Sequence, residues 1–208
     1  MTMADSWVAG VASSIVAYLA GGIPFGLILV RMMTGTDVRA KGSGNIGATN
    51  VMRTTGKLAG ILTLLLDGAK GWLAVYLAWR LTAGNVAWMS VAAAAVIGGH
   101  AFSPYLKFTG GKGVATFTGA FLFLTPATLG VLVILFVAAV YYQRFISFGS
   151  VFCALVFPLG VWLIQRPGLS VMLAAIVSSA LVIYKHRGNI ERLLAGTENK
   201  FYWSSRKA

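Results

Sequence analysis

Apolar runs long enough to cross a bilayer constrain this chain more than any other feature. Residues 6–30 contain no Asp, Glu, Lys or Arg, and an apolar helix of about 25 residues spans the ~30 Å hydrocarbon layer with some tilt. No basic residue precedes this run and no clear small-residue cleavage site marks it, so it reads as a retained span rather than a signal peptide. Gly21, Gly22, Pro24 and Gly26 crowd its second half, a pattern that permits close helix packing or a kink. Comparable runs follow at residues 58–79, 86–102, 114–124, 127–142, 148–164 and 169–184. Charged residues make up 11% of the chain, where soluble domains carry ~25%. The expectation is an all-α integral membrane protein forming a single domain over residues 1–208. Cys153 lies inside an apolar run and offers neither a disulfide framework nor a thiolate metal site. It is expected to be a buried structural thiol.

The number of spans turns on residues 114–142. The run 114–124 is too short to cross alone, and Thr125-Pro126 breaks it from the next. If these are two helices, there are about seven spans. The basic residues from Arg31 to Lys57, then Lys107, Lys112, Arg144 and everything from Lys185 onward then share one side, with Arg80 and Arg166 on the other. A single long helix there gives six spans and destroys the asymmetry. Positive-inside bias therefore selects about seven spans, two of them short, with the N-terminus outside and the C-terminus cytoplasmic. The net charge of +12, from 17 Lys and Arg against 5 Asp and Glu, is thus assigned to cytoplasmic loops and not to nucleic-acid binding.

This topology brings three polar islands to the cytoplasmic face: GSGNIGATNVMRTTG (42–56), GGHAFSPYLKFTGGKGVAT (98–116) and KHRGNIERLLAGTENKF (185–201). Glycines let backbone N–H groups approach an anion, while arginine and lysine add charge. Such a face can bind phosphate while an apolar tail stays in or near lipid, which suits a lipid-modifying enzyme. Asp67 and Lys70 lie three apart within the second run and share a helical face. An unpaired charge there costs about 2.5–3.5 kcal/mol. The two either satisfy each other and orient the helix or support the site from behind, and the second place is assigned to them.

The three islands, in this order, resemble the signature segments of the bacterial acyl-phosphate:glycerol-3-phosphate acyltransferase family, and the resemblance runs from the first span to Phe201. It implies an integral enzyme of the bacterial cytoplasmic (inner) membrane. Acyl would pass from acyl phosphate to the 1-hydroxyl of glycerol 3-phosphate, giving lysophosphatidic acid and phosphate in the first acylation step of phospholipid synthesis. The partners expected are those two substrates and membrane lipid, the protein being a monomer. Ser103-Pro104 departs from the usual pattern, where proline stands beside a second aromatic or hydrophobic residue.

Carried onto this chain, the resemblance implies that Ser43 and Arg53 bind phosphate. A serine among glycines frees N–H donors, and an arginine fork matches phosphate bidentately. Gly111, Lys112 and Gly113 resemble the part that holds acyl phosphate, with Gly110 beside them at the start of the fourth helix. GGKG is not a Walker A loop, since Leu106 stands where that motif needs its first glycine. His186, Asn189 and Glu198 are the functional members of the third island. His186 and Asn189 share a face if the helix continues past Tyr184. Without the resemblance, His186 reads equally as an interfacial anchor. His100 either orients the second island or touches substrate. Gly42, Gly44, Asn45, Thr49 and Asn50 line the first loop, although hydrogen bonding inside the loop explains the polar ones nearly as well.

No cysteine lies in a polar island, no serine–histidine–acid set can be assigned, and five scattered acids offer no metal cage. Direct attack by the glycerol 3-phosphate hydroxyl on acyl phosphate, without an acyl-enzyme, metal or cofactor, is the expected mechanism. The proton goes to His186 or, preferably, to a substrate phosphate oxygen with pKa near 6. The alternatives are an organic-phosphate transporter or another lipid-modifying transferase. A transporter usually shows internal repeats, and none is visible. Asp67-Gly68-Ala69-Lys70 lacks the further aspartates of CDP-alcohol phosphotransferases, while His186 and Glu191 only faintly match the histidine–acid motif of acyl-CoA-dependent acyltransferases.

Overall fold

The computed structural model describes residues 3–201. They form the helices α1 (Met3–Gly22), α2 (Phe25–Thr34), α3 (Ala48–Thr54), α4 (Lys57–Leu81), α5 (Val86–Ala101), α6 (Val114–Leu124), α7 (Pro126–Gln143), α8 (Ile146–Gln165), α9 (Leu169–Lys185) and α10 (Arg187–Leu194), with no strand among the described residues. Five stretches are long and apolar enough to cross a membrane: Ser6–Thr34, Lys57–Leu81, Val86–Leu106, Pro126–Gln143 and Ile146–Gln165. A sixth is obtained if α9 and α10 count together. With 11 residues, α6 is only about 17 Å long and cannot traverse the hydrocarbon unaided.

Each apolar run read from the sequence is largely helical, the first interrupted at Ile23-Pro24, and the break at Thr125-Pro126 is real. The Thr125 N–H closes α6 on the Phe121 carbonyl at 2.7 Å, and Pro126 opens α7, where its missing N–H is harmless. α7 and α8 then run antiparallel. Thr128 near the start of α7 donates to Gln165 at the end of α8 at 2.9 Å, and Ser147 near the start of α8 donates to Glu198 at 2.9 Å. The start of α8 and the third island therefore meet at one end of the bundle.

Small residues bring the helices together. α5 lies against α1, α4, α6 and α9, with Ala92, Ala93, Val96 and Ile97 wholly buried. Without a hydrophobic drive between helices in lipid, close van der Waals packing is the main source of association. α4 and α6 approach so closely that a Cβ at Gly119 would overlap the Gly68 carbonyl oxygen, and one at Gly71 that of Thr116. Phe117, Phe121 and Phe157 fill the next layer, with ring centroids 4.6–4.8 Å apart.

Candidate active site

The first island folds around Asn50. This buried side chain accepts from the Ser43 N–H at 2.9 Å and donates to the carbonyls of Asn45 (2.8 Å) and Lys41 (3.1 Å). Asn45 in turn accepts the Gly47 N–H at 2.7 Å. Gly42, at φ +59, leaves room that a Cβ would take from the Asn50 amide oxygen. Asn50 and Asn45 thus build the loop from inside. Gly44 also has positive φ, at +69, while Ser43, Thr49 and Arg53 remain on the exposed side.

The second island is pinned to the end of α5. Gly110 N–H donates to the Ala101 carbonyl at 3.2 Å and Gly111 N–H to the His100 carbonyl at 3.0 Å. Gly111 rests on the His100 ring so closely that a Cβ would overlap Nε2. Gly113, at φ +79, turns the chain into α6. The electropositive end of that helix follows directly after Lys112.

His100 is buried and its Nδ1 lies 3.0 Å from Lys70 Nζ. Lys70 also pairs with Asp67 Oδ1 at 2.7 Å and donates to the Ile23 carbonyl at 2.8 Å. The Asp67–Lys70 pair is thus in contact with His100, whose ring and carbonyl both meet Gly111 of the second island.

In the third island the condition that the helix continue straight past Tyr184 is not met. α9 stops at Lys185, and α10 departs at 56°. The break leaves His186 and Asn189 both buried, although they no longer belong to one straight helix. His186 Nδ1 lies 2.8 Å from the Val182 carbonyl. A carbonyl can only accept, so Nδ1 carries the proton and Nε2 is the ring's free acceptor. Glu198 fastens the island. Its Oε1 accepts from Asn189 Nδ2 (2.7 Å) and Ser147 (2.9 Å), and its Oε2 accepts from Arg192 Nε (2.7 Å). Burial opposes ionisation of Glu198, but these three donors outweigh it and hold the carboxyl below its ordinary range.

The islands converge at Lys112. Burial pushes its ammonium down to about 8; the nearby Glu198 carboxylate raises it, while Arg192 and Arg53 lower it. One amine from the second island thus senses charges of the first and third. His186 lies within electrostatic reach of the same Lys112 and Glu198. Immediately beyond, from Val114 onward, a groove of about 780 Å³ runs between α4, α6, α7 and α8, walled by Leu64, Gly68, Trp72, Leu122, Leu129 and Phe136 among others. Cys153 lies buried in its wall, 3.5 Å from the Leu132 carbonyl. Sequence reasoning missed Ser147 and Arg192. Only their positions near the third island's carboxylate give them a place, and nothing local in the sequence marks it.

Fold and site together define a helical membrane protein whose cationic, glycine-rich pocket adjoins an apolar groove. A family model for glycerol-3-phosphate acyltransferase matches residues 11–196, and the chain belongs to that family. It is 48% identical over 205 residues to the glycerol-3-phosphate acyltransferase of Trichlorobacter lovleyi, covering 97% of this chain and 99% of that one. The fold is similar to the crystal structure of PlsY (YgiH), an integral membrane glycerol 3-phosphate acyltransferase, in its glycerol 3-phosphate form. The TM-score is 0.87 at 34% identity, covering 93% of this chain and 96% of that chain. The lysophosphatidic acid form of the same enzyme matches at TM-score 0.85 and 33% identity, covering 93% and 95% respectively.

Proposed function

We propose that this glycerol-3-phosphate acyltransferase uses acyl phosphate as donor and transfers the acyl group directly to the 1-hydroxyl, at the cytoplasmic face of a bacterial inner membrane. The observation that carries the reading is the juxtaposition at Lys112: cations from three islands beside a groove that begins two residues later at Val114. An acyl phosphate fits that junction, with its anion at the 110–113 loop and the start of α6, and its chain along the groove. The glycerol 3-phosphate form of the related PlsY supports a second anion in the same pocket, for which Ser43 and Arg53 are the assigned partners.

Two bound anions repel in water, and the cluster of Arg53, Lys112 and Arg192 removes that barrier to their approach. The free Nε2 of His186 and the amide of Asn189, held by Glu198, orient glycerol 3-phosphate so that its 1-hydroxyl oxygen meets the acyl carbonyl with its proton towards a substrate phosphate oxygen. The new C–O bond forms, the C–O bond to phosphate breaks, and inorganic phosphate leaves with the electron pair. The hydroxyl proton ends on a substrate phosphate oxygen. The clustering of basic residues at the island end supports its cytoplasmic placement. The pocket is assembled within one chain, so a monomer suffices.

Phosphate release from palmitoyl phosphate by purified protein is expected to require glycerol 3-phosphate, to persist in EDTA and to fall at least ~100-fold in Arg53→Ala and Lys112→Ala. Turnover with acyl-CoA alone, or an acyl-enzyme trapped by rapid quench, refutes the scheme.

A further inference from the structure

The buried cluster behind the site has no contact with the outside, yet it reaches the second island through a short chain of contacts. Side-chain exposure is 4% at Lys70 and 3% at Asp67. Lys70 ion-pairs with Asp67 Oδ1 at 2.7 Å and hydrogen-bonds the Ile23 carbonyl at 2.8 Å and His100 Nδ1 at 3.0 Å, and an ammonium can only donate. His100 Nδ1 must therefore accept, which leaves the ring neutral with its proton on Nε2. That edge of the ring is the one that supports Gly111. The His100 carbonyl takes the Gly111 N–H, so ring and backbone hold the same glycine.

We propose that Asp67, Lys70 and His100 form a positioning device for the 110–113 loop that sets acyl phosphate affinity without touching either substrate. The inference rests on the proposed donor and deepens it. Lys70 links three helices at one point: the α1–α2 break through Ile23, α4 through Asp67, and α5 through His100. The ring angle of His100 is thereby fixed, and with it the height of the Gly111 backbone and the direction of Lys112. A ring that tilts lets the loop sink towards α5, and a loop misplaced by about 1 Å can cost ~100-fold in rate. Lys185 reinforces the mount from the other side, donating at 2.8 Å to the same Ala101 carbonyl that receives the Gly110 N–H. None of the three residues has a hydrogen bond or ion pair with Ser43, Arg53, His186 or Asn189 among the described residues, so their effect is directed to the donor.

A single Lys70→Met change leaves a carboxylate unpaired in the membrane and confounds positioning with misfolding. The test therefore uses Asp67→Asn/Lys70→Met, which removes both charges together, and separately His100→Asn. The asparagine keeps an acceptor near the Nδ1 position for Lys70 but removes the ring edge under Gly111. Initial rates are measured by lysophosphatidic acid formation from palmitoyl phosphate, varying each substrate, alongside the thermal midpoint in detergent. We expect the KM for palmitoyl phosphate to rise at least ~10-fold in both variants, the KM for glycerol 3-phosphate to stay within about 2-fold, and the His100→Asn midpoint to stay within a few degrees of wild type. Two KM values that rise together, or KM values that stay unchanged while only the midpoint falls, overturn the positioning role. Should the double variant fail to fold, His100→Asn alone decides. A wild-type enzyme silent on palmitoyl phosphate overturns the donor assignment instead and takes this inference with it.

Discussion

Lys112 predicts an alkaline limit on catalysis that can be measured directly. With its ammonium pushed down to about 8 by burial and by Arg192 and Arg53, the fraction protonated in the free enzyme follows 1/(1 + 10^(pH − 8)). This gives about 91% at pH 7, 50% at pH 8 and 9% at pH 9. If, as proposed, the charged form binds the acyl phosphate anion, kcat/KM for that substrate falls as pH rises, by about tenfold from pH 7 to pH 9. An ordinary lysine titrating near 10.4 leaves the rate almost flat over the same range. The parameter must be kcat/KM, because it reports the free enzyme, whereas a bound anion stabilises the ammonium and moves the limb of kcat upwards. Donor hydrolysis in alkali is subtracted with enzyme-free controls. Lys112→Arg supplies the internal test: a guanidinium keeps its charge throughout, so whatever activity remains shows no limb near pH 8. A limb at the same pH in the arginine variant, or a wild-type limb above pH 10, refutes the assignment of this group to donor binding.

Three further outcomes follow from the packing around the site. Glu198→Gln sets an amide NH2 or a single carbonyl against three donors, and losing charge-assisted bonds is worth about 3 kcal/mol. The thermal midpoint is expected to drop by roughly 5–10 °C, with Ser147→Ala costing about 1 kcal/mol at most; equal losses in the two variants contradict the hub role of Glu198. Gly119→Ala places a Cβ into the Gly68 carbonyl oxygen, and forcing α4 from α6 is expected to lower stability by about 1–3 kcal/mol, read by thermal unfolding in detergent. Leu122→Trp fills the groove while staying half in contact with lipid. It is expected to raise the KM for C16 acyl phosphate several-fold and to spare a C8 donor, and a uniform loss across chain lengths removes the groove from the acyl path.

The helices were legible because lipid leaves the backbone almost no alternative. Hydropathy alone placed a helix at 148–164 where Ile146–Gln165 is found, and one at 169–184 where Leu169–Lys185 is found. The Thr125-Pro126 break separates α6 from α7 as read, and the Lys112 end and the Ser147 end both meet Glu198, while the helices long and apolar enough to span number five, or six with α9 and α10 together, against the seven expected. The interior of the islands was less legible. Asn50 and Ser43 are both small polar residues in a glycine-rich run, yet one is buried as the loop's clamp and the other is exposed. Composition does not carry that distinction, which depends on a loop closing over seven residues. Whether the helix continues past Tyr184 stays open in the sequence, because Lys185 to Leu194 contains no proline and its one glycine, Gly188, is not at the break. The third island's anchor on Ser147 spans 51 residues, beyond any local pattern.

One relationship was present in the sequence in three unconnected pieces. The glycine and proline cluster of the first span, the intramembrane pair Asp67–Lys70 and the departure at Ser103 looked like a kink, a buried charge and a family variation. In the fold they are one unit. α1 ends at Gly22 before Pro24, so carbonyls at the break lack their helical partners. Ser103 donates to the Gly22 carbonyl at 2.6 Å, and Lys70 donates to the Ile23 carbonyl at 2.8 Å. Two buried donors, one on α4 and one at the exit of α5, thus meet the carbonyls at the break. The Ile23 carbonyl also takes the Phe25 N–H at 3.1 Å, so Lys70 adds a charged second donor there, while Ser103 satisfies the Gly22 carbonyl, which left unpaired in hydrocarbon would cost several kcal/mol. Ser103 and His100 flank the α5 exit from which the 110–113 loop hangs. The kink in the first span is accordingly part of the mount for that loop, although it lies more than eighty residues away in the chain.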